Sequence, residues 1–145
     1  MTKPISARVH GVLDYAVAAV FLNAPMVFGF QRTTPSKIAY WLTGIHLLLT
    51  ACTDFPLGPF KWIPFKIHGA IELVAGLFVL VAPWIFGFSD QGPPRNFFVA
   101  MGILILIVVA LSDYVVRESL PPRRPGDRRR WRTREPTAEE TPKAT

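Results

Sequence analysis

The chain has 145 residues, of which 50% are hydrophobic and only 18% charged, with a net charge of +6 and a mean hydropathy of +0.31 despite an arginine-rich end. Those values exclude a wholly disordered chain, and they exclude an ordinary soluble domain because four long apolar runs in so short a chain leave too little polar surface to cover them. The lone cysteine, Cys52, excludes an intrachain disulfide framework and a multi-cysteine zinc site; it reads as a small packed residue near the interface, with palmitoylation as the alternative.

The first membrane span is expected over residues 9–30, where only Asp14 and Asn23 interrupt the apolar run, and the second over residues 37–54, whose run from 38 to 53 has no formal charge. The third is expected over residues 67–88, with Glu72 alone inside it, and the fourth over residues 95–114. Crossing a hydrocarbon layer of ~30 Å takes ~20 helical residues. All four segments meet that length, so the fold expected is an all-α integral membrane four-helix bundle. Lys3 and Arg8 precede the first span as they would in a signal peptide. Asp14 lies in its apolar region, however, and the segment recurs later in the chain, so it belongs to the mature fold.

Basic residues set the orientation. Lys3 and Arg8 precede the first span, Lys61 and Lys66 lie between the second and third, and eight arginines and one lysine follow the fourth; the other two connections hold only Arg32 and Lys37, and Arg95 against Asp90. Both termini are therefore expected in the cytoplasm. Trp41, Trp62 and Trp84 lie near span ends, where an amphipathic ring suits the headgroup region.

An internal repeat organises the apolar part. A shift of 58 residues lays His10-Gly11-Val12-Leu13-Asp14 on His68-Gly69-Ala70-Ile71-Glu72, and Ala24-Pro25-Met26-Val27-Phe28-Gly29-Phe30 on Ala82-Pro83-Trp84-Ile85-Phe86-Gly87-Phe88. One further residue of shift lays Thr53-Asp54-Phe55 on Ser112-Asp113-Tyr114. Residues 1–58 and 59–116 thus form two helical hairpins entering the membrane in the same direction, with a pseudo-two-fold axis along the membrane normal, and residues 117–145 form a separate tail. Pro25 with Gly29, and Pro83 with Trp84 and Gly87, read as helix exits with interfacial aromatic anchors. Gly11, Gly44, Gly69, Gly76 and Gly102 read as points where helices approach closely.

The Ala-Pro-Trp-Ile-Phe-Gly-Phe stretch, followed by a second span with a central glycine, resembles the SPW-repeat family of small bacterial membrane proteins. The resemblance covers both hairpins, roughly residues 8–115. Ala24 and Ala82 stand where the motif has serine, and Met26 stands for the tryptophan of the first copy. What the resemblance implies is the membrane architecture and a bacterial cell (inner) membrane location, without a biochemical activity.

One constellation could carry chemistry. His10 and Asp14, and again His68 and Glu72, are four residues apart and so share a helix face. Asp54 and Asp113 end the second and fourth spans, which brings all six side chains to the cytoplasmic end of the bundle. Two imidazoles and four carboxylates suit a divalent cation or a proton relay, with His10 and His68 as the candidate metal or haem ligands. The alternative is a salt-bridge belt: the four carboxylates are balanced by Lys3, Arg8, Lys61 and Lys66, each histidine bonds the carboxylate four residues on, and the terminal aspartates meet lysines at the membrane surface. His46, which has Leu104 as its counterpart, is expected near mid-membrane, bonded to a backbone carbonyl or a threonine.

The tail is expected to be disordered, with Arg123, Arg124, Arg128, Arg129, Arg130, Trp131 and Arg132 in contact with anionic lipid headgroups. Nucleic-acid binding is disfavoured without a folded module. The partners expected are the lipid bilayer, anionic headgroups through the tail, and further copies of the chain in a homo-oligomer. No CxxCH, HExxH, phosphate-binding loop or nucleophile motif is present, so no enzymatic activity and no cofactor are assigned. A structural, assembly or envelope role is the leading expectation, ahead of proton-linked or small-solute transport and of a metal- or haem-binding protein.

Overall fold

A computed structural model describes residues 4–114. The tail residues expected at the lipid surface, Arg123 to Arg132, lie outside the described residues, as does Lys3. Four helices follow in order: α1 (Ala7–Val27), α2 (Thr34–Ala51), α3 (Phe65–Ile85) and α4 (Gly92–Leu111). Each starts two or three residues before the expected span and ends three before it. At the outer end the reason is chemical. Gly29 and Gly87 take the left-handed conformation at φ +69° and +66°, and the Phe30 and Phe88 amides donate to the Pro25 and Pro83 carbonyls at 3.0 and 2.8 Å. This six-to-one closure stops the helix at Val27 and at Ile85 and turns the next phenylalanine back into the core. Each proline stands inside the last turn of its helix and removes the N–H that would donate four residues back, to the carbonyl of Phe21 or Val79, two residues before the helix stops.

The helix starts are equally local. The Ser6 side chain accepts from the Val9 amide, and Thr33 and Ser36 form a reciprocal capping box ahead of α2. At 18 to 21 residues the helices are ~27–32 Å long, enough for a bilayer. α1, α3 and α4 are long and apolar enough to cross a membrane on composition alone. For α2 the spanning assignment rests on its packing along α1.

α1 packs on α2 and α3 on α4, which makes two antiparallel hairpins. The chain then departs from pure helix at one end. Thr53–Asp54 (β1) and Ile63–Pro64 (β2) form a short parallel pair, and Ile5 bridges Ser112 in the same sense. These pairings are related by the repeat: the end of each hairpin lies against the start of the other. Such reciprocity is the signature of a two-fold relation. It also places Ile5, the 52–64 connection and Ser112 at one end of the bundle.

At the opposite end the core is aromatic. Phe97 and Phe98 meet Phe21, Phe30 and Phe88 largely edge to face, and Ala24, Ala39, Val79 and Ala82 fill the gaps between helices. A Cβ placed on Gly102 would lie 2.6 Å from the Leu80 amide nitrogen, so this glycine sets the α3–α4 approach. Its repeat counterpart Gly44 has nothing within 4 Å of such a Cβ; the close contact expected there is absent, because the α1–α2 hairpin leaves that face of α2 open. The bundle's outer surface is a continuous apolar coat that includes Val12, Leu22, Leu48, Val74, Leu77, Ile103 and Ile107, the surface a lipid environment favours.

Candidate functional site

The repeat puts His10 and His68 against each other, in the first turns of α1 and α3. Both are fully buried, at 0% exposure, and Asp14 and Glu72 are 2% and 3% exposed. The two Nε2 atoms are 3.4 Å apart. Around them stand the carboxylates: His10 Nε2 is 3.3 Å from Asp14 Oδ1 and 3.0 Å from Glu72 Oε2, and His68 Nε2 is 3.4 Å from Asp14 Oδ2 and from Glu72 Oε1. Each acid thus spans both histidines, its own and that of the other repeat. Asp14 Oδ2 and Glu72 Oε2 nevertheless have no aligned hydrogen-bond donor.

The far side of each ring is held by a hydroxyl. Ser112 Oγ lies 2.7 Å from His10 Nδ1, and Thr53 Oγ1 lies 2.7 Å from His68 Nδ1. Each hydroxyl also donates its one hydrogen to the carbonyl four residues back, Ser112 to Val108 and Thr53 to Leu49, both at 2.6 Å. A hydroxyl whose hydrogen is spent in this way can only accept from the ring, so both histidines carry hydrogen on Nδ1 and turn Nε2 to the centre. The crossover is reciprocal: the serine from the end of the second hairpin orients the histidine of the first, and the threonine from the end of the first orients the histidine of the second.

Aromatic rings close the centre from the membrane surface. Phe65 meets His10 edge-on at 5.1 Å, with Tyr114 4.9 Å from Phe65 and Phe55 stacked on it at 5.9 Å. Phe55 lies against the bare Cα of Gly11 and Tyr114 against that of Gly69, where any side chain would collide with the ring. Burial pushes the Tyr114 phenol well above its ordinary pKa, and the negative charges of Glu72 and Asp14 push it further.

The six-residue cluster expected from sequence is therefore four. His10, Asp14, His68 and Glu72 converge, and each offers a ligand atom within 4.8 Å of the others. Asp54 is instead exposed and stands 3.8 Å from Lys61. Asp113 is half-buried, its amide donating to the Ile5 carbonyl. The side chain that points inward from each hairpin end is the preceding hydroxyl, because one step along an extended segment reverses the side-chain direction. The repeat alignment had paired Thr53 with Ser112, and that matched pair of hydroxyls was the signal for them. Of the expected belt, the i, i+4 contacts of histidine with acid and the Asp54–Lys61 pair are present, whereas among the described residues the ion pairs of Asp14 and Glu72 are with histidines and not with Arg8 or Lys66.

His46 also departs from expectation. Its Nε2 has no hydrogen-bond partner, and the ring lines a cavity of about 10 Å³ together with Asp14, Glu72, Val17, Ile105 and Val108. It therefore borders the centre from α2 instead of serving its own helix. Cys52 is buried at the end of α2, which removes it from acylation. Haem does not fit: axial imidazoles on one iron stand ~4 Å apart on opposite sides of a flat ring, whereas here the Nε2 atoms are 3.4 Å apart with both carboxylates packed beside them.

Comparison with known proteins comes to one family. The family model of the SPW repeat domain matches residues 8–112. No curated protein and no solved structure matches the chain.

Proposed function

This chain belongs to the SPW repeat family of membrane proteins, and we propose that it is a non-enzymatic, multi-pass component of the bacterial inner membrane with both termini in the cytoplasm. Its task in this reading is structural: a compact pair of hairpins that serves assembly or the envelope, with the arginine-rich tail held on anionic headgroups. The observation that carries the reading is the inward closure of the polar centre. His10, Asp14, His68 and Glu72 are turned toward one another, and Ser112 and Thr53 hold the outer edges of the two rings, under an aromatic cover. The adjoining cavity of about 10 Å³ holds at most one water, which sets small-solute transport behind the structural role. The parallel bridge between Ile5 and Ser112 supports a same-side placement of the two ends, and the basic residues near them choose the cytoplasm.

Reporter fusions test the topology. Fusions after Tyr114 and within residues 56–59 are expected to report the cytoplasm, and a fusion within residues 33–35 the opposite side. A periplasmic signal from the 56–59 connection would overturn the orientation.

A further inference from the structure

The buried centre has the geometry of a coordination shell. In a tetrahedral site with metal–ligand bonds of ~2.0–2.1 Å, neighbouring ligand atoms are separated by about 1.6 bond lengths, or ~3.3–3.4 Å. Five contacts at this centre, 3.4 Å between the two Nε2 atoms and 3.0 to 3.4 Å from these to the four carboxylate oxygens, fall at or just below that value; one oxygen from each acid accounts for three of the six edges of a tetrahedron, and the four residues offer ligand atoms within 4.8 Å of one another. Imidazoles trans across one metal would be further apart. The Nδ1–H to hydroxyl bonds are the outer shell such ligands use: they fix the ring plane, fix the tautomer and leave the Nε2 lone pair facing inward. Asp14 Oδ2 and Glu72 Oε2, buried and without an aligned donor, lie 3.4 Å from His68 Nε2 and 3.0 Å from His10 Nε2.

Charge is compatible with a cation at this centre. Two carboxylates and two neutral imidazoles carry −2 in a site with almost no exposure, and burial of uncompensated charge is costly. A divalent cation brings the total to zero, as would a proton on each Nε2; the donor geometry, and not the charge, favours the cation. Among the described residues no lysine or arginine is paired with Asp14 or Glu72, whose close contacts are the two histidine Nε2 atoms.

We propose that His10 Nε2, His68 Nε2 and the carboxylates of Asp14 and Glu72 bind one divalent first-row metal ion of the zinc class, which ties the two repeats together at their shared axis. Two imidazoles with two oxygens in a four-coordinate arrangement select this class over calcium or magnesium, which take six or more oxygens. A closed shell with an aromatic cover makes the ion structural. The proposal goes beyond the membrane role above and stands apart from it: failure to bind metal leaves the topology intact, and a reversed topology leaves the coordination intact.

The test uses the full chain in detergent, stripped with a chelator and reloaded with zinc alone, with metal content read by elemental analysis. One zinc per chain is expected, together with a rise in the unfolding temperature. X-ray absorption should find two imidazole nitrogens and two oxygens around zinc and no sulfur, and cobalt loading should give the intense visible bands of four-coordination. Glu72→Gln and Asp14→Asn, close in shape, are expected to lower zinc affinity at least tenfold while the protein remains helical, and Asp54→Asn to leave it unchanged. The double variant His10→Ala, His68→Ala is expected to bind none. Folded wild-type protein that takes up no zinc would overturn the proposal, as would zinc retained undiminished by Glu72→Gln, Asp14→Asn and the double variant. Should the double variant fail to fold, the isosteric pair and the absorption spectrum of wild type still decide.

Discussion

Gly44 and Gly102 occupy equivalent positions in the two repeats, and alanine at each should have opposite effects. At Gly102 the new methyl carbon would lie 2.6 Å from the Leu80 amide nitrogen and 2.7 Å from its Cα. Relaxed contacts are ~3.5–4.0 Å, so α3 and α4 must separate by about 1 Å or the helices must slide. Overpacking against backbone costs about 1–3 kcal/mol. Both substitutions also gain up to about 1 kcal/mol of helix propensity, since alanine replaces glycine inside a helix. At Gly44, with nothing within 4 Å, that gain stands alone. The propensity term cancels in the difference, leaving Gly102→Ala about 1–3 kcal/mol less stable than Gly44→Ala. Denaturant unfolding in a fixed detergent, followed by circular dichroism, would measure it. Equal effects, or a greater loss at Gly44, would refute the assignment of Gly102 as the point of closest helix approach.

Two further outcomes follow from the centre and the turns. Removing a hydroxyl by Ser112→Ala or Thr53→Val should strand a buried imidazole N–H and cost about 1–3 kcal/mol of unfolding free energy, while Thr53→Ser should cost much less because it keeps the acceptor; equal losses in the two threonine variants would mean that packing, and not the hydrogen bond, holds the ring. Gly29→Ala and Gly87→Ala force a Cβ into φ +69° and +66° and should each cost about 1–2 kcal/mol, with asparagine milder than alanine, as read by thermal unfolding.

Much of this molecule could be read along the chain. Apolar runs of bilayer length and the 58-residue repeat determine an apolar bundle of two hairpins, because length, hydropathy and repetition are one-dimensional properties. The i, i+4 spacing of His10 with Asp14 and of His68 with Glu72 places each pair on one face, and the repeat implies that the faces meet. What the chain alone could not decide is direction within short extended segments and the crowding at a given helix face. Asp54 and Asp113 carry the charge that sequence reading looks for, yet the register of β1 against β2, and of Ser112 against Ile5, sends the hydroxyls inward and takes the aspartates elsewhere. His46 has no repeat counterpart and gave no spacing signal; only the packing of α2 beside α1 brings it to the cavity shared with Asp14 and Glu72. Gly44 and Gly102 are equivalent in sequence and differ in space, since the two hairpins are packed to different closeness. Side-chain type and period belong to the sequence, whereas which donor atoms meet, and at 3.0 to 3.4 Å, is decided when four helix faces and two hairpin ends are closed around one axis.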